Sequence, residues 1–145
     1  KLNGTDVTDD IRQPYVTNNI APVAANPDVR TILVQKQRRL GEQGGIVAEG
    51  RDMGTVVFPH AELKVFMVAT VQERAKRRFK ELQDKGVKVD LIQLEAEIKQ
   101  RDESDENRQH GALKAADDAV RVDTTRLTLE EQVDFIVSKA REQGA

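Results

Sequence analysis

Three charged residues close behind a short apolar run form the first candidate site in this sequence of 145 residues. Glu49, Arg51 and Asp52 follow residues 46–48 and lie among glycines in the stretch EGRDMGT. In open parallel sheets, ligands bind beyond the carboxyl ends of the strands. A carboxylate there can help to hold Mg2+ through water, and an arginine can bind a phosphate with two parallel hydrogen bonds. The pattern alone leaves a second interpretation equally open, a solvated turn with one local ion pair.

A second candidate site combines two arginines with one aspartate on a predicted helix. Arg101, Asp105 and Arg108 stand at i, i+4 and i+7, so they share one face of a helix that begins near Asp90. The arginines can present donors to a phosphate, and the carboxylate can accept from a ribose or a base amino group. By itself the pattern favours a simpler interpretation, a solvated helix face whose ion pairs contribute roughly 0.2–0.5 kcal/mol each.

A third candidate site is a group of arginines on the helix predicted between Gln72 and Asp84. Arg74, Arg77 and Arg78 lie on the face opposite its apolar residues. Phosphoryl transfer requires of a protein mainly positioning and positive charge around the transferred group. Mobile arginines over an active site would supply both, but an ordinary surface helix would show the same residue types.

Isolated residues outside these groups give weaker signals. Arg30 lies off the apolar stripe of its predicted helix, where it could reach a phosphate or form plain surface. His60 and His110 have no second metal ligand at a useful spacing, so we assign neither a catalytic nor a metal-binding role.

The elements that would position these sites are short strands alternating with helices. The apolar runs at residues 46–48, 63–71 and 120–122 are predicted to be strands. Amphipathic helices separate them, and this alternation is typical of an α/β protein with a parallel sheet. The pair Asn3-Gly4 predicts a two-residue hairpin turn near the start of the chain.

Helix boundaries are marked by capping residues and prolines. Helix starts are predicted at Asn26, which precedes a proline, at Asp90, and at Thr128, which opens a capping box. Residues 8–25 are predicted to form short helical pieces broken at Pro14 and Pro22.

The composition disfavours several functional classes. Lys and Arg number 23 against 25 Asp and Glu, a net charge of −2, whereas nucleic-acid-binding domains usually carry a clear basic excess. The absence of cysteine removes disulfides, thiolate metal sites and cysteine nucleophiles. The longest apolar stretch, residues 65–71, is too short to span a bilayer. No Gly-Lys pair occurs, so these residues do not include the phosphate-binding segment G-x-x-x-x-G-K-[ST].

The stretch EGRDMGTVVFP, residues 49–59, closely resembles the segment D-G-R-D-[IM]-G-T-V-V-F-P of bacterial cytidylate kinases. Further stretches resemble this family in the same order along the chain, at residues 23–30, 63–66, 73–78, 101–108, 118–119 and 123–125. The resemblance covers essentially the whole chain, and the stretch 49–59 is highly specific. On these residues the sequence is identified as a member of that family.

The resemblance implies a fold of three layers, α/β/α, the P-loop nucleoside-monophosphate kinase fold with a parallel sheet. In the family the first strand, its phosphate-binding loop and the start of the acceptor domain precede the position of Lys1. We therefore expect a chain that is truncated at its N-terminus and is missing the first, P-loop strand. Residues 1–25 would be the C-terminal part of the CMP-binding insert, and residues 26–145 the remainder of the kinase core with a lid at about 74–90.

The implied reaction is ATP plus CMP or dCMP giving ADP plus CDP or dCDP, with Mg2+. The implied protein is a cytoplasmic monomer that binds small nucleotides and neither nucleic acid nor membrane. Because the first strand is central in the family's sheet, its absence would leave unpaired backbone between two remaining strands or a gap that another protein segment fills. We expect no kinase turnover from these 145 residues alone.

The resemblance assigns the acceptor nucleotide to residues from several stretches. Arg30, Arg51 and Arg101 would surround its phosphate, and Asp52 would lie near the cytosine amino group. The ribose and base would be contacted by Asp105 and Arg108.

On the donor side, the resemblance assigns the lid arginines that close over the transferring phosphoryl group to Arg74, Arg77 and Arg78, which with Arg51 form the predicted catalytic set. Glu49 stands where the family usually has aspartate, a change that keeps the charge and lengthens the side chain, and it would meet Mg2+ through water. The ATP site has no assignment within this sequence.

Two other functional classes remain as alternatives. A CMP-binding or regulatory module without catalysis would keep the arginines, and calorimetry with CMP and ATP would distinguish it. A nucleic-acid-binding basic helix at residues 74–80 fits poorly with the net charge of −2.

Overall fold

The structure, a computed structural model, describes residues 1–144, and of residues 12, 14, 17, 18 and 21 it describes the backbone alone. It divides into two compact units, Lys1–Val47 and Ala48–Ala145, which are described separately below. The predicted insert, core and lid stay predictions. Within the described chain, every helix is too short or too polar to cross a bilayer.

The first unit opens with the predicted hairpin turn. The backbone N–H of Leu2 donates to the carbonyl of Thr5 at 2.8 Å, and the N–H of Thr5 donates back to Leu2 at 3.0 Å. Asn3 and Gly4, at the centre of the turn, have φ values of 49° and 87°. Two successive positive φ values define the turn type that matches the twist of a hairpin, so this prediction is confirmed.

Two helices, α1 (Pro14–Ala25) and α2 (Pro27–Leu40), form most of the first unit. Pro14 occupies the first position of α1, where the N–H that proline lacks is not needed. The predicted break at Pro22 is wrong, because α1 continues through it. Pro22 lies in the last turn, so its missing N–H costs a single hydrogen bond and the helix ends three residues later.

The predicted strand at residues 46–48 is also wrong. Val47 is fully exposed and Ile46 is 46% exposed, and neither is part of a strand. A strand needs a hydrogen-bonded neighbour and a face to bury, and the two named strands among residues 1–144 pair with each other. The resemblance predicts unpaired backbone between two remaining strands; the two named strands of the described residues pair directly with each other, so the predicted gap stays a prediction.

The second unit contains that parallel strand pair. β1 (Val65–Val68) lies beside β2 (Val120–Asp123), and the pairing confirms the predicted α/β class with parallel strands. Between them in sequence come α3 (Val71–Asp84) and α4 (Leu91–Glu106), which pack on each other, and α5 (Leu129–Glu142) follows β2. The buried apolar side chains of the unit are Val57, Ala75, Leu94 and Val122.

The predicted helix starts are confirmed with their caps. The Oδ1 atom of Asn26 accepts from the backbone N–H groups of Asp28 and Val29 at 2.9 and 3.2 Å. Asp90 accepts from the N–H of Gln93 at 2.9 Å. Each cap satisfies backbone donors that the first helical turn leaves without a partner.

The capping box of α5 allows a first stability test. The Thr128 hydroxyl accepts from the N–H of Glu131 at 3.2 Å, and the Glu131 carboxylate accepts from the N–H of Thr128 at 2.7 Å. Thr128→Ala removes one half of this pair and is expected to lower the free energy of unfolding by about 1 kcal/mol, measured by urea denaturation. Thr128→Ser keeps the hydroxyl and serves as the control. Equal unfolding midpoints for the two variants would contradict the prediction.

Candidate active site

A widened helical turn directly follows Arg51 and Asp52. It spans Met53–Val57, and its defining hydrogen bonds reach back five residues, from the N–H of Val57 to the carbonyl of Asp52 at 3.2 Å and from Phe58 to Met53 at 2.7 Å. Such π-type turns are rare and frequently lie at functional sites. Val57 is buried and anchors the turn, so the position of Arg51 and Asp52 is tied to the core of the unit.

Lys64 fastens this turn to the start of β1. Its side chain is only 8% exposed, and its Nζ donates to both carboxylate oxygens of Asp118 at 2.7 and 2.9 Å and to the carbonyl of Pro59. A Cβ placed on Gly54 would lie 3.3 Å from Cδ of Lys64, so the glycine lets the turn approach the lysine stem. The hydrogen bond from Lys64 also holds the pKa of Asp118 below its usual range.

The centre of the candidate site is the carboxylate of Asp105, which is 4% exposed. Arg51 donates from Nε to its Oδ2 at 2.7 Å, and Arg108 donates from Nη2 to its Oδ1 at 2.6 Å. Arg101 lies further out, with Nε 3.8 Å from the same Oδ2. The structure thus brings together four of the residues singled out in the sequence, and we call them the Asp105 cluster.

The prediction that Arg101, Asp105 and Arg108 share one face of a helix is correct only in part. Because α4 ends at Glu106, Arg108 lies beyond the helix and not on its continuing face. The chain turns back there, since the N–H of Leu113 donates to the carbonyl of Asp105 at 2.9 Å. Arg108 therefore reaches Asp105 from the turn that follows the helix.

The Asp105 cluster has hydrogen-bond donors to spare. Arg51 uses only Nε within the described chain, so both of its terminal nitrogens are available, and its side chain is 41% exposed. Arg101 makes no hydrogen bond to any described residue and is 70% exposed. Three guanidinium groups around one carboxylate leave a net positive charge, and the side chains of Arg51 and Arg101 are accessible to solvent. This arrangement suits a phosphate, which guanidinium groups bind with paired hydrogen bonds.

A second carboxylate, Asp102, binds an arginine from α3. Nη1 of Arg74 donates to Oδ1 of Asp102 at 2.9 Å, and Nη2 donates to Oδ2. This bidentate bond holds the pKa of Asp102 below its usual range, and the nearby Arg51 and Arg101 lower it further. The same bond raises the pKa of Arg74. The Nε of Arg74 is buried without a partner in the described chain.

Arg77 and Arg78 donate hydrogen bonds to residues other than Asp102, the partner of Arg74. Arg77 donates from Nη2 to the carbonyl of Thr124, just after β2, at 2.6 Å and from Nε to Glu73 at 3.0 Å. Arg78 is exposed and donates to Glu81 at 2.7 Å. Of the three predicted lid arginines, Arg74 alone shares a partner helix with the Asp105 cluster.

Asp52, Glu49 and Arg30 occupy three different settings. Asp52 is 7% exposed at the start of the widened turn, and Glu49 is exposed just before it. Arg30 is half-buried in the first unit. The described residues contain no group of three acidic or histidine side chains that could hold a metal ion. Glu49 supplies a single exposed carboxylate. This fits a Mg2+ ion that is bound to nucleotide phosphates and contacted by the carboxylate through water, and it does not fit an ion whose ligands all come from the protein.

Sequence reasoning missed Asp102 and Lys64 as parts of the site. Asp102 belonged to a stretch that resembles the family, but neither its type nor its spacing marked it among the other acids of α4. For Lys64 the available signal was its position directly before an apolar run. If that run forms a buried strand, the ammonium group of the lysine must find hydrogen-bond partners.

Comparison with known proteins gives one family. A family model described as cytidylate kinase matches residues 1–142. A cytidylate kinase of Streptococcus suis is 54% identical over 137 residues, covering 94% of this chain and 61% of the relative. That of Streptococcus agalactiae is 51% identical, covering 96% and 61%, and that of Enterococcus faecalis is 48% identical, covering 99% and 63%. The chain therefore spans less than two thirds of the length of these relatives.

Proposed function

Since the chain belongs to the cytidylate kinase family, we propose that its protein transfers the γ-phosphoryl group of ATP to CMP or dCMP and gives CDP or dCDP. The observation that supports this most directly is the Asp105 cluster, a buried carboxylate that orients Arg51 and Arg108 and leaves the terminal nitrogens of Arg51, among the described residues, available for a phosphate. The family supplies the class of reaction, and the cluster supplies a place where the acceptor phosphate would bind.

The acceptor nucleotide binds through its phosphate to Arg51 and Arg101. Asp105 orients Arg51, and it keeps capacity for a ribose hydroxyl because two carboxylate oxygens accept about four hydrogen bonds. Arg108 completes the ribose and base contacts. Asp52, buried next to Arg51, accepts from the cytosine amino group.

During transfer, an oxygen of the CMP phosphate forms a bond to the γ-phosphorus of ATP, and the bond from that phosphorus to the bridging oxygen breaks to release ADP. The protein's part is positioning and positive charge. Arg51 and Arg74 face the transferring group, with Arg77 and Arg78 on the same helix as Arg74. Glu49 would contact a Mg2+ ion through water, and that ion, bound to the nucleotide phosphates, would neutralise part of their charge. The assignment of Arg30 to the acceptor phosphate rests on the family resemblance alone.

We also propose that the protein is a monomer that works in the cytoplasm and binds neither nucleic acid nor membrane. The proposed substrates, CMP and ATP, are small charged molecules in solution. The net charge of −2 gives no general attraction for nucleic acid.

Calorimetry on the 145-residue chain is the first test of the acceptor site. CMP is expected to bind, and cytidine, which lacks the phosphate, is expected to bind about 100-fold more weakly, since hydrogen bonds to charged groups contribute roughly 1.5–3 kcal/mol each. CMP affinity should also fall as salt is raised. ATP should give no heat and no CDP should form, because this sequence contains no G-x-x-x-x-G-K-[ST] segment.

The outcomes separate the functional classes. Equal affinities for CMP and cytidine would contradict an acceptor-phosphate site. CMP binding together with ATP-dependent CDP formation by the whole protein supports the kinase. CMP binding without turnover in the whole protein would replace it with the regulatory module.

A further inference from the structure

Asp102 connects α3 to the Asp105 cluster. It lies three positions before Asp105 on α4, a spacing that places two side chains side by side on one helix face. The two carboxylates bind arginines from different parts of the second unit, Arg74 from α3 and Arg51 from the turn before Met53. The two ion pairs are neighbours, since the charges of Arg51 and Arg101 act on Asp102 as well.

The contact fixes the plane of the Arg74 guanidinium as well as its position. Two parallel hydrogen bonds to one carboxylate define the orientation of a planar group, which a single ion pair does not. The Nε of Arg74 is buried without a partner in the described chain, and a buried polar atom of this kind carries a cost that calls for an explanation. The buried Nε is explained if the two hydrogen bonds to Asp102 hold the Arg74 guanidinium in the orientation that its chemistry requires, although Nε is then left without a partner in the described chain.

We infer that Asp102 is a positioning residue for phosphoryl transfer, which orients Arg74 beside the phosphate-binding arginines and does not itself contact substrate. This inference rests on the proposed kinase function. Arg74 holds the pKa of Asp102 low, so the carboxylate is ionised at neutral pH and the ion pair is lost only as the pH falls below the ordinary aspartate value. The orientation of Arg74 by Asp102 is therefore expected to stay constant around neutral pH, where a kinase works.

Asp102→Asn in the whole protein separates positioning from substrate binding. An asparagine amide turns one acceptor into a donor, so it can no longer form the two parallel hydrogen bonds that the carboxylate forms with Arg74. We expect kcat to fall about 10- to 100-fold, the scale of losing one positioned donor. The Kd for CMP should stay unchanged or decrease, because a negative charge beside Arg101 is removed.

Two comparison variants make the result specific. Arg74→Ala should lower kcat by a similar factor, and the double variant should be no worse than the poorer single one, because both remove the same interaction. Glu142→Gln is the matched control: it makes the same acid-to-amide change in an exposed ion pair, 2.7 Å from Lys139 on α5, and should leave kcat unchanged.

The inference is overturned if Asp102→Asn keeps the wild-type kcat, or if its kcat and its CMP affinity fall by the same factor. The second result would indicate general damage to the fold. If Asp102→Asn does not fold, Arg74→Lys decides, since lysine keeps the charge but cannot form the planar bidentate bond. A wild-type kcat in that variant overturns the inference. A wild-type protein that binds no CMP and forms no CDP would instead refute the proposed function.

Discussion

Asp105→Asn is expected to weaken CMP binding about 100-fold and to lower the free energy of unfolding by roughly 1–3 kcal/mol, the scale of losing hydrogen bonds to a buried charged group. The carboxylate is 4% exposed and accepts from Arg51 and Arg108. An asparagine at this position presents an N–H2 group to one of these arginines, so two donors face each other. Arg51 would then lose the orientation of its terminal nitrogens toward the acceptor phosphate, and Arg108 would lose its orientation toward the ribose and base.

Calorimetry with CMP and urea denaturation measure the two effects. Asp117→Asn, at an exposed aspartate of the same unit, is the control and should change neither. The loss of a negative charge would by itself favour phosphate binding, so a weaker affinity would show that the contacts of the carboxylate, with the two arginines and with the ribose, outweigh its charge. An Asp105→Asn variant that binds CMP as tightly as Asp117→Asn would refute the role given to this carboxylate.

The contrast between Asp105 and Asp102 follows from what each carboxylate holds. Asp105 orients Arg51, which in the proposed function binds the acceptor phosphate, so its loss should appear in CMP affinity. Asp102 binds Arg74, which in the proposed function acts on the transferring group, so its loss should appear in kcat. Two acids of the same type, three positions apart on one helix, are thus expected to affect different quantities, CMP affinity and kcat.

Features that depend on neighbours in the chain could be predicted from the sequence. The caps at Asn26, Asp90 and Thr128 each bind a backbone N–H within three residues, so residue type and spacing contain the whole interaction. The hairpin turn at Asn3-Gly4 is equally local, because it depends on the two residues that adopt positive φ.

Features that depend on distant partners could not be predicted from the residues alone. Residues 46–48 have the apolar pattern of a strand, but a strand exists only if another pairs with it. Arg51 and Asp105 are 54 positions apart, and only the family resemblance gave a reason to associate them. Asp102 is one of several acids near the end of α4, and the packing of α3 decides that it is the one to bind Arg74.

Arg51→Ala is expected to lower kcat/KM for CMP about 1000-fold, close to 4 kcal/mol of transition-state stabilisation. Arg51 is the residue that both the acceptor phosphate and the transferring group would contact, and Asp105 fixes its guanidinium through Nε. Arg51→Lys keeps the charge but loses that hydrogen bond and the paired donors, so it should recover about one tenth to one hundredth of the wild-type value. Arg141→Ala, at an exposed arginine of α5, is the control. Steady-state kinetics of the whole protein below the unfolding transition of each variant would measure these values, and a kcat/KM for Arg51→Ala equal to that of Arg141→Ala would remove Arg51 from the catalytic set.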